Sequence, residues 1–134
     1  MSSLAIESLL LAMKEQGASD LLLTVGTAPQ LRINGFLAPV GEHRLTAQDT
    51  QHLAFALMDD HLKQVLTERR AVDFSRGLPG VARFRVNVFY QRDSVAAAIR
   101  LIPYDIPAFE TLGLPDIVKK WATLPHGLIL VTGP

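Results

Sequence analysis

Hydrophobic positions recur along the chain with two different periods. Near the start they fall at Leu4, Leu9, Ala12 and Met13, with Glu7 and Glu15 outside, a helical stripe. Ser3 is placed to cap that helix, and Gly17 to end it, since glycine accepts the positive φ of a helix C-terminus. Asp20 to Val25 is a leucine-rich run that predicts a buried strand. Gln30 to Val40 alternates through Leu31, Ile33, Phe36 and Leu37 around Asn34-Gly35, a dipeptide suited to a two-residue hairpin turn. Thr46, with Asp49 three residues on, predicts a capping box and a helix whose Leu53, Ala54, Leu57 and Met58 share a face. Asp59 or Asp60 opens a further helix that holds Leu62, Val65 and Leu66 and closes at Glu68-Arg69-Arg70.

The second half changes period. Ala71 to Phe74 predicts a short strand, and Arg76-Gly77-Leu78-Pro79-Gly80 a turn. Val81 to Arg92 and Ser94 to Ile102 are long strands, the second closed by Pro103. Residues 104–126, broken at Pro107, Gly113 and Pro115, read as a linker with short helices. Leu114 to Ala122 holds one of these, opened by Pro115, with Trp121 as its packing anchor. Gly127 to Thr132 is a fully apolar strand that needs a sheet to bury it. No internal repeat interrupts the order of helix, hairpin, two helices and antiparallel strands. That order is the α+β class, with helices on one face of a mostly antiparallel sheet. The divisions are a domain over 1–103, the linker over 104–126, and the beginning of something else over 127–134.

Composition narrows the chemistry. Lysine plus arginine balances aspartate plus glutamate at 13 each, so the net charge is no reason to expect nucleic acid or an anionic membrane as partner. The absence of cysteine excludes disulfides, thiolate zinc sites and cysteine nucleophiles. His43, His52, His61 and His126 form no ligand pair at a useful spacing. Ser19 and Ser75 lack a histidine base, so a hydrolase triad has no support. Asp20, just after the helix-ending glycine, reads as a turn or capping residue, or as a packing contact to a further domain. The N-terminus lacks the basic start of a signal peptide, and a cytoplasmic setting is expected.

Alternation assigns Phe84, Val86, Val88 and Tyr90 to one face of their strand, with Val95, Ala97, Ile99 and Leu101 on the matching face of the next. Arg83, Arg85, Asn87, Phe89 and Gln91 take the other face, with Ser94, Ala96, Ala98, Arg100 and Ile102. A hairpin turning at Arg92-Asp93 sets Arg85 directly opposite Arg100. Like charges so opposed are unfavourable by roughly 0.2–1 kcal/mol. An anion between them relieves that repulsion, and the arginine fork matches phosphate oxygens. Solvation, or pairing with Asp73 or Glu110, would relieve it equally well.

The last residues, Leu128-Ile129-Leu130-Val131-Thr132-Gly133-Pro134, run an apolar strand into a glycine, as at the opening of a phosphate-binding loop. Gly133 would be the loop's first glycine; its second glycine, lysine and magnesium-binding hydroxyl are not in the chain. One glycine after a strand also describes an ordinary strand end.

Four stretches together resemble the type IV pilus retraction ATPases, the PilT/PilU group of the secretion ATPases. They are Gly17-Ala18-Ser19-Asp20-Leu21, Leu31-Arg32-Ile33-Asn34-Gly35, Gly80-Val81-Ala82-Arg83-Phe84-Arg85-Val86-Asn87 with Phe89 and Arg92, and Leu124 to Pro134. The resemblance implies a PAS-like N-terminal domain, cut off within the phosphate-binding loop of a RecA-like ATPase domain. It implies a homohexamer in which arginines of this domain reach the phosphates of ATP. Arg85 and Arg100 are the first candidates, with Arg83 and Arg92 behind them. ATP and Mg would be held by the full-length protein, and neither tightly by this segment, which could not hydrolyse ATP alone. Implied partners are the chain's own ATPase domain, neighbouring protomers and the pilus platform at the bacterial inner membrane, with no nucleic acid. Leu22 departs from the pattern, since many retraction ATPases carry histidine there; with Phe89-Tyr90-Gln91-Arg92 it leans toward the PilU-like paralogue. The ending Leu130 to Pro134 leans toward PilT. Two other readings stand beside this one: a self-contained PAS-like binding module, and an assembly ATPase, which usually carries a further N-terminal region.

Overall fold

The computed structural model describes residues 5–133 and divides the chain into two compact units, Met1–Tyr104 and Asp105–Pro134. Within the first unit the elements run α1 (Ile6–Glu15), β1 (Asp20–Leu23), β2 (Gln30–Ile33), β3 (Phe36–Pro39), α2 (Ala47–Phe55), α3 (Asp60–Arg69), β4 (Ala71–Leu78), β5 (Ala82–Gln91) and β6 (Ser94–Ile102). The six strands form one antiparallel sheet in the order β3-β2-β1-β6-β5-β4. This is the α+β class that the pattern predicts.

Local chemistry explains most element ends. The Ser3 cap expected for α1 lies outside the described residues. At its other end Gly17 has φ +64°, and the amides of Gly17 and Ala18 bond to the carbonyls of Lys14 and Met13, satisfying two orphan acceptors of the last turn. Thr46 and Asp49 form the capping box at α2: the Thr46 hydroxyl accepts from the Asp49 amide, and the Asp49 carboxylate accepts from the Thr46 amide at 2.8 Å. Asp59 caps α3 by accepting from the Leu62 amide at 2.8 Å. Asn34 and Gly35 both take positive φ, the left-handed pair that joins β2 to β3 with the twist a hairpin needs.

The core lies on one side of the sheet. Phe84, Val86 and Val88 of β5, with Val95, Ala97 and Ile99 of β6, are buried together with Leu21 and Leu23 of β1 and Leu31 of β2. Ile6, Leu9, Leu10 and Met13 of α1, Leu53 and Ala54 of α2, and Leu66 of α3 close over them in the same cluster. Each large apolar side chain so buried contributes roughly 1.5–3 kcal/mol. Among the described residues of this unit no helix covers the opposite face of the sheet, which carries the charges.

Four expectations need correction here. The strand β4 runs on to Leu78 through the predicted turn, because Gly77 and Leu78 find register partners in Arg83 and Ala82. Pairing with a long neighbour outweighs the glycine signal, and the turn contracts to Pro79-Gly80-Val81. In the second unit the helix begins at Ile117 rather than at Pro115, as α4 (Ile117–Ala122), preceded by a 3₁₀ turn over Phe109–Leu112. Trp121 there is 40% exposed, so it buries less than a packing anchor would. Gly127 to Thr132 forms no strand among the described residues, and Leu128, Leu130 and Val131 stand exposed. An apolar run becomes a strand only where another strand satisfies its backbone groups, and none is paired with it.

Candidate functional site

Hairpin geometry places the candidate arginines. The β5–β6 turn has Arg92 at φ +48° and Asp93 at φ +60°, and the two strands pair symmetrically from Gln91 opposite Ser94 to Arg83 opposite Ile102. Arg85 therefore faces Arg100 directly, as the alternation requires. Register extends the row across the whole sheet: Leu37, Arg32, Asp20, Arg100, Arg85 and Ser75 are successive cross-strand partners from β3 to β4. Four of these six carry charge, on the face away from the helices.

Each arginine of the central pair has its own carboxylate. Arg85 donates through Nε at 3.2 Å and Nη2 at 2.8 Å to the two oxygens of Asp73, so its fork is filled from the β4 side. Arg100 donates through Nε alone to Asp20 at 2.9 Å, on the β1 side. The two guanidiniums thus lean in opposite directions. Between them opens a cleft of about 230 Å³, floored by Asn87 and Ala98 and walled by Asp20, Asp73, Arg85 and Arg100. The arginine side chains remain 65% and 68% exposed, in reach of anything that approaches this face.

The carboxylates differ in setting. Asp20 is the first residue of β1, with a side chain only 14% exposed. Burial opposes its ionisation and is the largest single influence; hydrogen bonds from Ser19 and Arg100, with the charges of Arg100 and Arg32, outweigh it and hold the carboxyl below its usual range. The turn or capping role expected of Asp20 is not what it does: it is the half-buried anion that orders Arg100 and Arg32. Asp73 is 44% exposed, and the hydrogen bonds from Arg85 lower its pKa against a smaller burial penalty. The same pairing raises the pKa of Arg85.

Arg83 lies two residues from Arg85 on the same face and donates to the Ser75 hydroxyl at 3.1 Å. Arg92 is at the far end of the hairpin, seven residues along β5 from Arg85, or about 23 Å of strand. There it lines a separate cleft of about 440 Å³ with Thr24, Gln91 and Ser94. Gly133 belongs to the second unit. Glu110, weighed as an arginine partner, instead accepts from Lys119 within that unit. Among the described residues no three histidine, aspartate or glutamate side chains converge to hold a metal ion, and no helix is long and apolar enough to cross a membrane.

A six-stranded antiparallel sheet with its helices on one face and a guanidinium pair on the other defines an α+β domain with its charged groups on the open side. No protein-family profile matches the chain. It is 36% identical over 127 residues to the type IV pilus ATPase PilU of Pseudomonas aeruginosa, covering 95% of this chain and 33% of that protein. It is 38% identical over 129 residues to the type IV pilus retraction ATPase PilT of the same organism, covering 96% of this chain and 38% of that protein. A crystal structure of the pilus retraction motor PilT with bound ADP superposes at a TM-score of 0.76 with 50% identity, covering 96% of this chain and 38% of that one. The chain is a homologue of the N-terminal domain of the PilT/PilU group of pilus retraction ATPases. It spans about a third of the length of the curated relatives it matches.

Proposed function

We propose that the chain works as the N-terminal domain of a hexameric type IV pilus retraction ATPase, in the cytoplasm and against the inner-membrane platform of the pilus machine. In this reading 1–103 is the PAS-like domain, 104–126 the linker, and 127–134 the entry to a RecA-like ATPase domain that the chain itself does not hold. The observation that carries the proposal is the Arg85–Arg100 pair: two exposed guanidiniums set opposite each other on an uncovered sheet face.

The residues present fit one wall of a phosphate site. The pair can accept the oxygens of a terminal phosphate, with Arg83 alongside, because a guanidinium stays charged at any working pH and presents parallel donors. Gly133 would turn backbone amides toward the same phosphates. Nothing in the described residues fits Mg, which would fall to the loop hydroxyl of the ATPase domain. ATP, when bound, supplies a terminal phosphoryl group whose loss removes negative charge from the arginines. Arg85 then turns back to Asp73, Arg100 stays on Asp20, and the domain loses its electrostatic tie to the nucleotide. Arg92 stands outside this arrangement within the domain and would serve only at a boundary between protomers.

The test is Arg100→Ala in the chain joined to its ATPase domain. Turnover at saturating ATP should fall by about 10²-fold, as when a preorganised donor to a transition-state charge is removed, with the unfolding curve of the domain unchanged. Turnover equal to wild type would take Arg100 out of the site.

A further inference from the structure

The two arginines are not equivalent, and the difference lies in how their carboxylates are held. Asp73 contacts Arg85 alone, is 44% exposed, and occupies both Nε and Nη2 of the arginine, the edge that a phosphate would use. Asp20 is 14% exposed and is fixed from three sides: the Ser19 hydroxyl donates at 2.8 Å, Arg32 Nε lies at 3.5 Å, and Arg100 Nε donates at 2.9 Å. It takes only the Nε of Arg100, which lines the cleft, and neither terminal nitrogen of that arginine has a hydrogen-bond partner among the described residues.

We propose that Asp73 is an intramolecular latch that a polyphosphate must displace from Arg85, whereas Asp20 is a permanent anchor that presents the open end of Arg100. The anion meets Arg100 first, because its terminal nitrogens are open and its orientation is already fixed. It then competes with Asp73 for Arg85. The exchange is inexpensive, since an exposed carboxylate–guanidinium pair is worth little in water. A single negative charge gains little over Asp73, whereas a polyphosphate spans the splayed pair and engages both. Asp73 therefore sets the threshold of charge density at which the site closes. This inference rests on the phosphate-binding reading of the arginine pair given above.

The experiment titrates inorganic tripolyphosphate into the 134-residue chain at low, fixed ionic strength, following the amide resonances of β5 and β6. Wild type, Asp73→Asn, Arg85→Ala and the double variant are compared. Asp73→Asn should tighten binding by about fivefold, the effect of removing one competing charge some 4 Å away in water. In the Arg85→Ala background the same substitution should change affinity by less than about twofold, because the latch acts only through Arg85. An equal gain in both backgrounds would mean a general charge effect and would overturn the latch. No gain in either, with wild type still binding, would also overturn it while leaving the phosphate site standing. If neither wild type nor Asp73→Asn binds tripolyphosphate, the arginine site falls, and the latch with it.

Discussion

Strand β5 builds the two faces of this domain from alternate residues, and they obey different rules. On the helix side Phe84, Val86 and Val88 are fully buried, and their neighbours are other apolar side chains of the core cluster. On the open side Arg83 and Arg85 stand exposed, and their partners are single, specific groups: the Ser75 hydroxyl and the Asp73 carboxylate. One face holds the fold by area and close packing, so loss of volume anywhere on it is felt. The other holds charges whose pairing in water is nearly neutral in energy, so they are available for exchange with a ligand. One strand can serve both purposes because the pleat keeps the two sets of side chains apart.

The sharpest break of that comparison comes from two adjacent residues. Phe84→Ala should lower the unfolding free energy by about 3–5 kcal/mol, through lost transfer energy and the cavity left behind. Urea denaturation reads this directly, and a loss near zero would mean that the helix-side packing does not carry the fold. Acid is expected to have a smaller effect at Asp20, whose side chain is only 14% exposed. The folded pKa of Asp20 lies below its ordinary value of 3.8, so its ionised form stabilises the fold above that pH. The contribution is lost as pH falls through the lower, folded value. The stability difference between wild type and Asp20→Asn should thus be widest near neutrality and shrink below about pH 4. A difference that grows on acidification would contradict the bonding assigned to Asp20. Least of all should come from Arg85→Ala, one position along from Phe84. Its urea midpoint should stay at the wild-type value, and a large shift would mean that the open face is structural after all.

Much of this was legible along the chain because it depends on near neighbours. The capping box needs only Thr46 and Asp49, the left-handed hairpin only Asn34 and Gly35, and the helix end only Gly17 and the turn before it. The register of β5 on β6 follows from a two-residue turn and strict alternation, and it put Arg85 opposite Arg100 before any coordinates did. Where the reading missed, a distant partner was deciding. Asp20 and Arg100 are 80 residues apart, and only the insertion of β1 beside β6 brings them together. Gly77 and Leu78 looked like a turn until β5 supplied strand partners.

The amino-acid sequence by itself determined the class of fold, the inward and outward faces of β5 and β6, and the identity of the arginine pair. All of these follow from periodicity and from groups within a few residues of one another. The tertiary structure alone decided which carboxylate meets which arginine, and it made Asp20 half-buried and held from three sides but Asp73 exposed and held from one. Strand order across a sheet brings together residues with no local relation, and the burial that sets the strength of a charge pair exists only once every strand is in place.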